Sequence, residues 1–319
     1  MNQKQVSRRI ACIGVGNLGR AWAAIFARAG HEVALYDSAA GAVTAALPAI
    51  ESTLAAMAEA DLVGDTKAVM ARIRPCETLA EALVGVDYIQ ESVIEDVEVK
   101  RSVFRMLDDQ APPGAVIASS VSSIPPSEFM ANLKGGDRCI VAHPVNPPHL
   151  IPVVEVMLGP ATSEETYESC CALLSGVGQV PVRLNKEIFG YVLNRLQFAL
   201  INEALHLVDG GYVSAKDVDK IVKYGLGRRW AFMGPFETNH LNASGGIEEY
   251  YSKFQGAIGG IMKELFLEPH SLSPELISRL AKEMEQTTPV ADVPVRQEWR
   301  DRQLMALTGH FGDMRPTQE

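Results

Sequence analysis

The chain has 319 residues, 47% hydrophobic and 21% charged, enough for a sizeable core in one large domain or two. Its net charge of −10 argues against a nucleic-acid surface and against any broad attraction for anionic partners, so an acidic substrate must be met by local donors. Five cysteines (Cys12, Cys76, Cys139, Cys170, Cys171) show neither C-x-x-C nor metal-ligand spacing and read as reduced thiols of a cytoplasmic protein that holds no metal.

No run approaches about eighteen uninterrupted apolar residues, so no membrane span is expected. Lys4, Arg8 and Arg9 lead directly into a glycine motif rather than into the apolar stretch of a signal peptide. Residues 10–13 form a short apolar run with the look of a buried parallel strand. Gly14-Val15-Gly16-Asn17-Leu18-Gly19 follows as G-x-G-x-x-G. Ala21, Ile25 and Ala29 then recur at helical spacing up to Gly30, and a second apolar run, 33–36, stops at Asp37. The three glycines do different things: a tight turn at Gly14, close backbone approach to a pyrophosphate at Gly16, helix–strand packing at Gly19. The helix start offers unpaired N–H groups to phosphate. Asp37 suits the adenosine ribose hydroxyls and repels a 2′-phosphate, which favours NAD over NADP. A lone G-x-G-x-x-G is weak, but strand, glycines, helix, strand and acid in that order point to an NAD site.

Residues 39–60 are alanine-rich and helical with a break expected near Pro48; 65–72 add another turn or two. Strands are predicted around 72–76, 87–91 and 115–119, with a helix over 97–110 between the last two. Serines follow (Ser119, Ser120, Ser122, Ser123), then two strands over 139–143 and 151–157. A helix near 163–175 and a strand over 179–184 complete the alternation. This pattern predicts an α/β fold: a Rossmann-type doubly wound, mostly parallel sheet with an antiparallel edge. Beyond 186 the strand signal disappears. Helices are expected at 189–208, 214–225, 247–266, 273–285 and 293–307. The division is therefore an NAD-binding domain over 1–186 and an all-helical C-terminal domain over 187–319.

The two strands after the serines carry the chemistry. One ends at His143 and the other carries Glu155, with a proline-rich turn between them. Side by side, the carboxylate can orient the imidazole, fix its tautomer and stabilise the imidazolium. Oxidising an alcohol needs such a proton acceptor, and the glycine motif supplies the hydride acceptor's seat. Other candidates have bland alternatives. Glu95 and Lys100 lie past a strand end where open sheets bind ligands, yet they also fit a helix-start acid and a solvated lysine. Ser122 can donate to a substrate oxygen, or it or a neighbouring serine can cap a turn. Asn194, in an apolar helix stretch, can orient substrate or be satisfied by backbone. Arg229 can grip a carboxylate with two hydrogen bonds or form a surface salt bridge. His149, His206, His240, His270 and His310 share no spacing and read as structural or surface histidines.

With these motifs in place the chain resembles the 3-hydroxyacyl-CoA dehydrogenase family over essentially its whole length. The resemblance rests on G-V-G-N-L-G, E-D-V-E-V-K, the serines, H-P-V-N-P-P…E and F-G-Y-V-L-N-R-L. It is closest to the lambda-crystallin, or L-gulonate 3-dehydrogenase, branch through I-V-A-H-P-V-N-P-P, G-P-F-E-T-N-H-L-N and E-W-R-D. That likeness implies His143 as general base and Glu155 as its orienting partner. It implies Ser122 and Asn194 on the substrate oxygen, Arg229 on the substrate, and Gly14, Gly16, Asn17, Leu18, Gly19, Asp37, Glu95 and Lys100 around NAD. It also implies a homodimer formed through the helical domain. The family's usual H-F-F-N-P is H-P-V-N-P-P here, and Asn17-Leu18 stands where the branch has two aliphatic residues. The implied reaction is NAD-dependent oxidation of the 3-hydroxyl of a small polar acid, L-gulonate foremost. A 3-hydroxyacyl-CoA and L-carnitine are the alternative substrates, and an NAD-binding structural protein is the rival of a different class.

Overall fold

The computed structural model describes residues 7–313; Lys4 of the basic N-terminal group lies outside them. One eight-stranded sheet is present among the described residues: β1 (Arg9–Ile13), β2 (Glu32–Tyr36), β3 (Ile73–Pro75), β4 (Tyr88–Glu91), β5 (Val116–Ser119), β6 (Cys139–Pro144), β7 (Val153–Leu158) and β8 (Val180–Leu184). The helices up to the boundary are α1 (Asn17–Arg28), α2 (Ala42–Glu59), α3 (Thr66–Met70), α4 (Leu79–Ala82), α5 (Val97–Gln110), α6 (Ser127–Met130) and α7 (Glu164–Gly176). The purely helical stretch holds α8 (Tyr191–Asp209), α9 (Ala215–Ile221), α10 (Gly227–Trp230), α11 (Pro235–His240), α12 (Gly246–Glu264), α13 (Pro274–Thr287) and α14 (Val293–Asp313).

Strand order is β3-β2-β1-β4-β5-β6-β7-β8. Neighbours from β3 to β6 are parallel, β6 and β7 are antiparallel, and β8 runs parallel to β7. The reversal therefore lies inside the sheet, and the far edge is a two-strand parallel unit. The order turns over between β1 and β4, which is where open α/β sheets form their ligand crevice. Alternate residues of each strand feed opposite cores. Ile10 and Cys12 join Trp22, Phe26, Ile50 and Leu54 on one face, whereas Ala11 and Ile13 join Phe104, Leu107 and Phe129 on the other. Burying both faces accounts for the near-continuous apolar strands.

The break expected at Pro48 does not occur: α2 runs through it. Val43, Ala46, Ile50, Leu54 and Met57 lie buried along one stripe. Burial is worth about 1.5–3 kcal/mol for each large side chain, which outweighs the roughly 3 kcal/mol that an interior proline costs. The helix expected over 214–225 does not stop there but continues toward Arg229. A π turn, Val222–Leu226, links α9 to α10. Gly227 keeps a right-handed helical φ of −61° rather than the left-handed value that ends helices.

Two compact units emerge. One holds the sheet, the described residues up to Leu193, and those from Trp299 onward; the other is Asn194–Glu298. The last helix runs past the expected 307, and its buried Met305 and partly buried Leu304 join the sheet-face core. In the second unit, α8 and α12 expose Leu196, Phe198, Ile261 and Met262.

Candidate active site

Strand pairing builds the acid–base pair. His143 is the direct antiparallel register partner of Glu155, so both side chains leave the same face at the same level. The imidazole Nδ1 lies 3.0 Å from Glu155 Oε2, with both side chains buried. The other carboxylate oxygen, Oε1, accepts from Val192 N at 2.9 Å and Leu193 N at 3.0 Å, two otherwise unpaired donors of the first turn of α8. Burial alone raises the Glu155 pKa. The bonds from His143 and Leu193 outweigh it, and the net shift is downward. A carboxylate held ionised on Nδ1 keeps a proton there and directs Nε2 outward as the basic nitrogen. Nε2 makes no hydrogen bond among the described residues.

Tyr191 completes this arrangement, and the sequence reading passed over it. Its φ of 52° turns the chain at the first residue of α8 so that the next two N–H groups meet Glu155. The ring is fully buried, sits edge-on to His143 at 5.1 Å, and its hydroxyl donates to Ile124 O at 2.8 Å. The signal available in the sequence was the pair Gly190-Tyr191 at the start of a helix.

The glycine motif is tightly packed at Gly14 and Gly19. A Cβ at Gly19 falls 1.8 Å from Gly14 O, so the helix can approach the turn only as glycine. A Cβ at Gly16 meets no protein atom within 4 Å, so any need for glycine there comes from something outside the chain. Helix α1 starts with no side-chain cap and no acidic residue in its first turn, which includes Asn17 and Leu18, and so leaves donors for an anion. Asp37 bonds the N–H groups of Val15 and Ala39, each at 2.9 Å. These residues fit a dinucleotide's pyrophosphate and ribose.

Glu95 and Lys100 part company. Glu95 is exposed and accepts from Ser122 N (3.0 Å) and Ser123 Oγ (2.7 Å). Burial raises its pKa, but the serine donors bring the net shift downward. Lys100 turns inward to 1% exposure and gives its ammonium to both oxygens of Glu91, at 2.9 and 3.1 Å. Glu91 also accepts from Ser119 Oγ (2.5 Å) and Val93 N (2.6 Å). Beside it, Ser120 Oγ receives hydrogen bonds from Trp22 Nε1 and Gln90 Nε2. Both of its lone pairs are then filled, so its own proton goes to Ser92 Oγ, 2.9 Å away. Sequence reasoning named Ser120 only as one of a run of serines and missed Glu91 and Ser92. The visible clue was Gln90-Glu91, two polar residues closing a buried strand. Asn194 lies one residue beyond Leu193 on α8 and Arg229 is exposed on α10, both in the helical unit.

Residues 9–188 match the 3-hydroxyacyl-CoA dehydrogenase NAD-binding domain, and residues 190–286 match the same enzyme's C-terminal domain. The chain belongs to the 3-hydroxyacyl-CoA dehydrogenase family. Lambda-crystallin of Oryctolagus cuniculus is 39% identical over 312 residues, spanning 96% of this chain and 97% of that protein. L-carnitine dehydrogenase of Oceanobacillus iheyensis is 34% identical over 311 residues, 97% of this chain and all of that one. Among solved structures, an NAD+-dependent dismutase, 5-formyl-3-hydroxy-2-methylpyridine 4-carboxylic acid 5-dehydrogenase, superposes with a TM-score of 0.80. It is 25% identical and covers 95% of this chain and 98% of its own. As a member of this dehydrogenase family the protein is an NAD-dependent oxidoreductase acting on a CH–OH group. No helix of the described residues is long and apolar enough to cross a membrane.

Proposed function

We propose that the protein oxidises the 3-hydroxyl of a small polar 3-hydroxy acid, L-gulonate foremost, to the 3-keto acid. The observation that carries this reading is the division of labour in Glu155: one oxygen on His143 Nδ1, the other on the start of α8, with Nε2 left unspent. His143 Nε2 takes the hydroxyl proton, and Glu155 stabilises the imidazolium so formed. Ser122 and Asn194 hold the substrate oxygen, and Arg229 meets the carboxylate. NAD+, when bound, supplies the hydride acceptor. Gly14, Gly16, Gly19 and the first turn of α1 at Asn17-Leu18 hold its pyrophosphate, Asp37 its adenosine ribose, and Glu95 its nicotinamide side. Lys100 serves that site through Glu91, as a positioning residue, since its ammonium is already committed there.

A small acid is favoured over an acyl-CoA because the chain carries no cluster of basic residues for CoA phosphates. We assign residues 1–186 to cofactor binding and 187–319 to substrate binding and dimerisation in a cytoplasmic homodimer. The apolar side chains exposed on α8 and α12 are the kind a second copy covers.

NADH formation against L-gulonate, L-carnitine, L-3-hydroxybutyrate and 3-hydroxybutyryl-CoA tests the reading. L-Gulonate is expected to give the highest kcat/KM. A preference for the CoA thioester overturns the substrate assignment, and no turnover of any of the four points to an NAD-binding structural protein.

A further inference from the structure

Among the described residues, three buried side-chain polar atoms lack a hydrogen-bond partner: His31 Nε2, His149 Nδ1 and Gln179 Oε1. His149 and Gln179 border the same cavity, about 830 Å³ in volume. That is within the range of pockets that hold small organic ligands, roughly 300–1,000 Å³. An orphaned buried polar atom costs about 1–3 kcal/mol, so two facing one space call for an explanation. A third unspent group borders it too. Arg28, half-buried at the end of α1, makes no hydrogen bond or ion pair among the described residues, and burial lowers its pKa. Leu150, Leu307 and Phe311 give the wall most of its apolar surface, and the exposed Asp61 and half-buried Thr308 also line it.

The cavity does not include the glycine turn or His143. It does border residues 148–152, part of the segment that joins β6 to β7 and so joins His143 to Glu155 in the chain. Three demands define an occupant: an anion for a guanidinium, an apolar body for the leucines and Phe311, and an N–H or O–H donor for an amide oxygen. Burial holds His149 neutral, its pKa lowered to about 4, so Nδ1 can accept as well.

We propose that this cavity is a second ligand site, separate from the dinucleotide crevice, for a small hydroxylated organic acid with an apolar body. Its carboxylate pairs with Arg28, its hydroxyl donates to Gln179 Oε1 or His149 Nδ1, and its hydrocarbon part packs on Leu150, Leu307 and Phe311.

3-Phenyllactate is a suitable probe, titrated calorimetrically into the full-length protein saturated with NADH. We expect saturable binding at one site per chain. Arg28→Met should weaken it roughly 10–100-fold, as loss of a charge-assisted bond does. Gln179→Leu should weaken it less, and Leu307→Trp, which fills the space, should abolish it. All three should keep the wild-type NADH affinity, and His143→Ala should keep the probe affinity. Absence of saturation by about 10 mM in the wild type, a far weaker affinity than one charge-assisted bond on an apolar wall implies, overturns the proposal. So does an unchanged affinity in Arg28→Met and Leu307→Trp, or loss of binding in His143→Ala, which moves the probe to the catalytic cleft.

Discussion

Glu91 with Lys100 and Glu155 with His143 are both buried acid–base pairs whose acid sits on the one sheet, yet they are finished to different degrees. Lys100 gives its ammonium to both Glu91 oxygens, while Ser119 and Val93 fill what remains of the carboxylate. Every polar atom is matched inside the protein, and nothing is left to react. Glu155 has both oxygens occupied as well, but its partner is a ring with a second nitrogen, and that nitrogen has no bond among the described residues. Burial and pairing alone do not mark a catalytic group. An unspent valence held in a fixed direction does.

The two pairs should therefore fail differently. His143→Ala is expected to cut turnover by about 10²–10⁴-fold, the usual worth of general-base assistance. NADH affinity, measured by fluorescence titration, should stay within about twofold, since no glycine-motif contact changes. Turnover near wild type would erase the distinction between the pairs. Glu91→Ala should act on folding, because it leaves a buried ammonium without its acid. Breaking a buried pair costs about 3–5 kcal/mol, to be read as a lower denaturant midpoint. Unchanged stability with lost activity would make Glu91 and Lys100 a working pair after all.

How much of this was legible in the chain follows from how local each signal is. His143 and Glu155 sit on consecutive strands joined by a short turn, so their pairing needs only a hairpin-like neighbour relation, which the apolar runs on either side announce. The glycine motif is local in the same way. Lys100 is not. It occupies an ordinary position in an amphipathic helix, and only the tertiary placement of β4 tells it apart from a solvated lysine. Tyr191 depends on a left-handed backbone turn that composition does not encode. Pro48 shows the converse failure, a correct local rule overruled by a buried stripe on α2. The last helix ran past the expected 307, and its docking on the sheet through buried Met305 is a tertiary contact that the local pattern does not announce.

Smaller effects sharpen the contrast further. His149 is half-buried, and desolvation, helped by Arg28 and Arg300 and only partly offset by the Asp301 carboxylate, lowers its pKa from 6.5 to about 4. Between those values the unfolded chain binds a proton that the native state refuses. Stability is thus full above pH 6.5 and falls as pH drops toward 4, by up to about 1.4 kcal/mol per pH unit. His149→Phe should flatten that part of the stability–pH curve, and an unchanged slope would assign it to other groups. Asp37→Ser should narrow the preference for NAD over NADP by about tenfold, through loss of its repulsion of a 2′-phosphate. An unchanged ratio of the two cofactors' kcat/KM values would confine Asp37 to bracing the glycine turn through Val15.

The central claim, that Glu155 acts through His143, is tested most directly by a double-mutant cycle on kcat/KM. Glu155→Gln keeps an oxygen for the α8 donors but can no longer stabilise an imidazolium. In the wild-type background it should cost about 10²-fold or more. In the His143→Ala background the same change should cost no more than about twofold, because the group it serves is gone. An equal loss in both backgrounds would contradict the account.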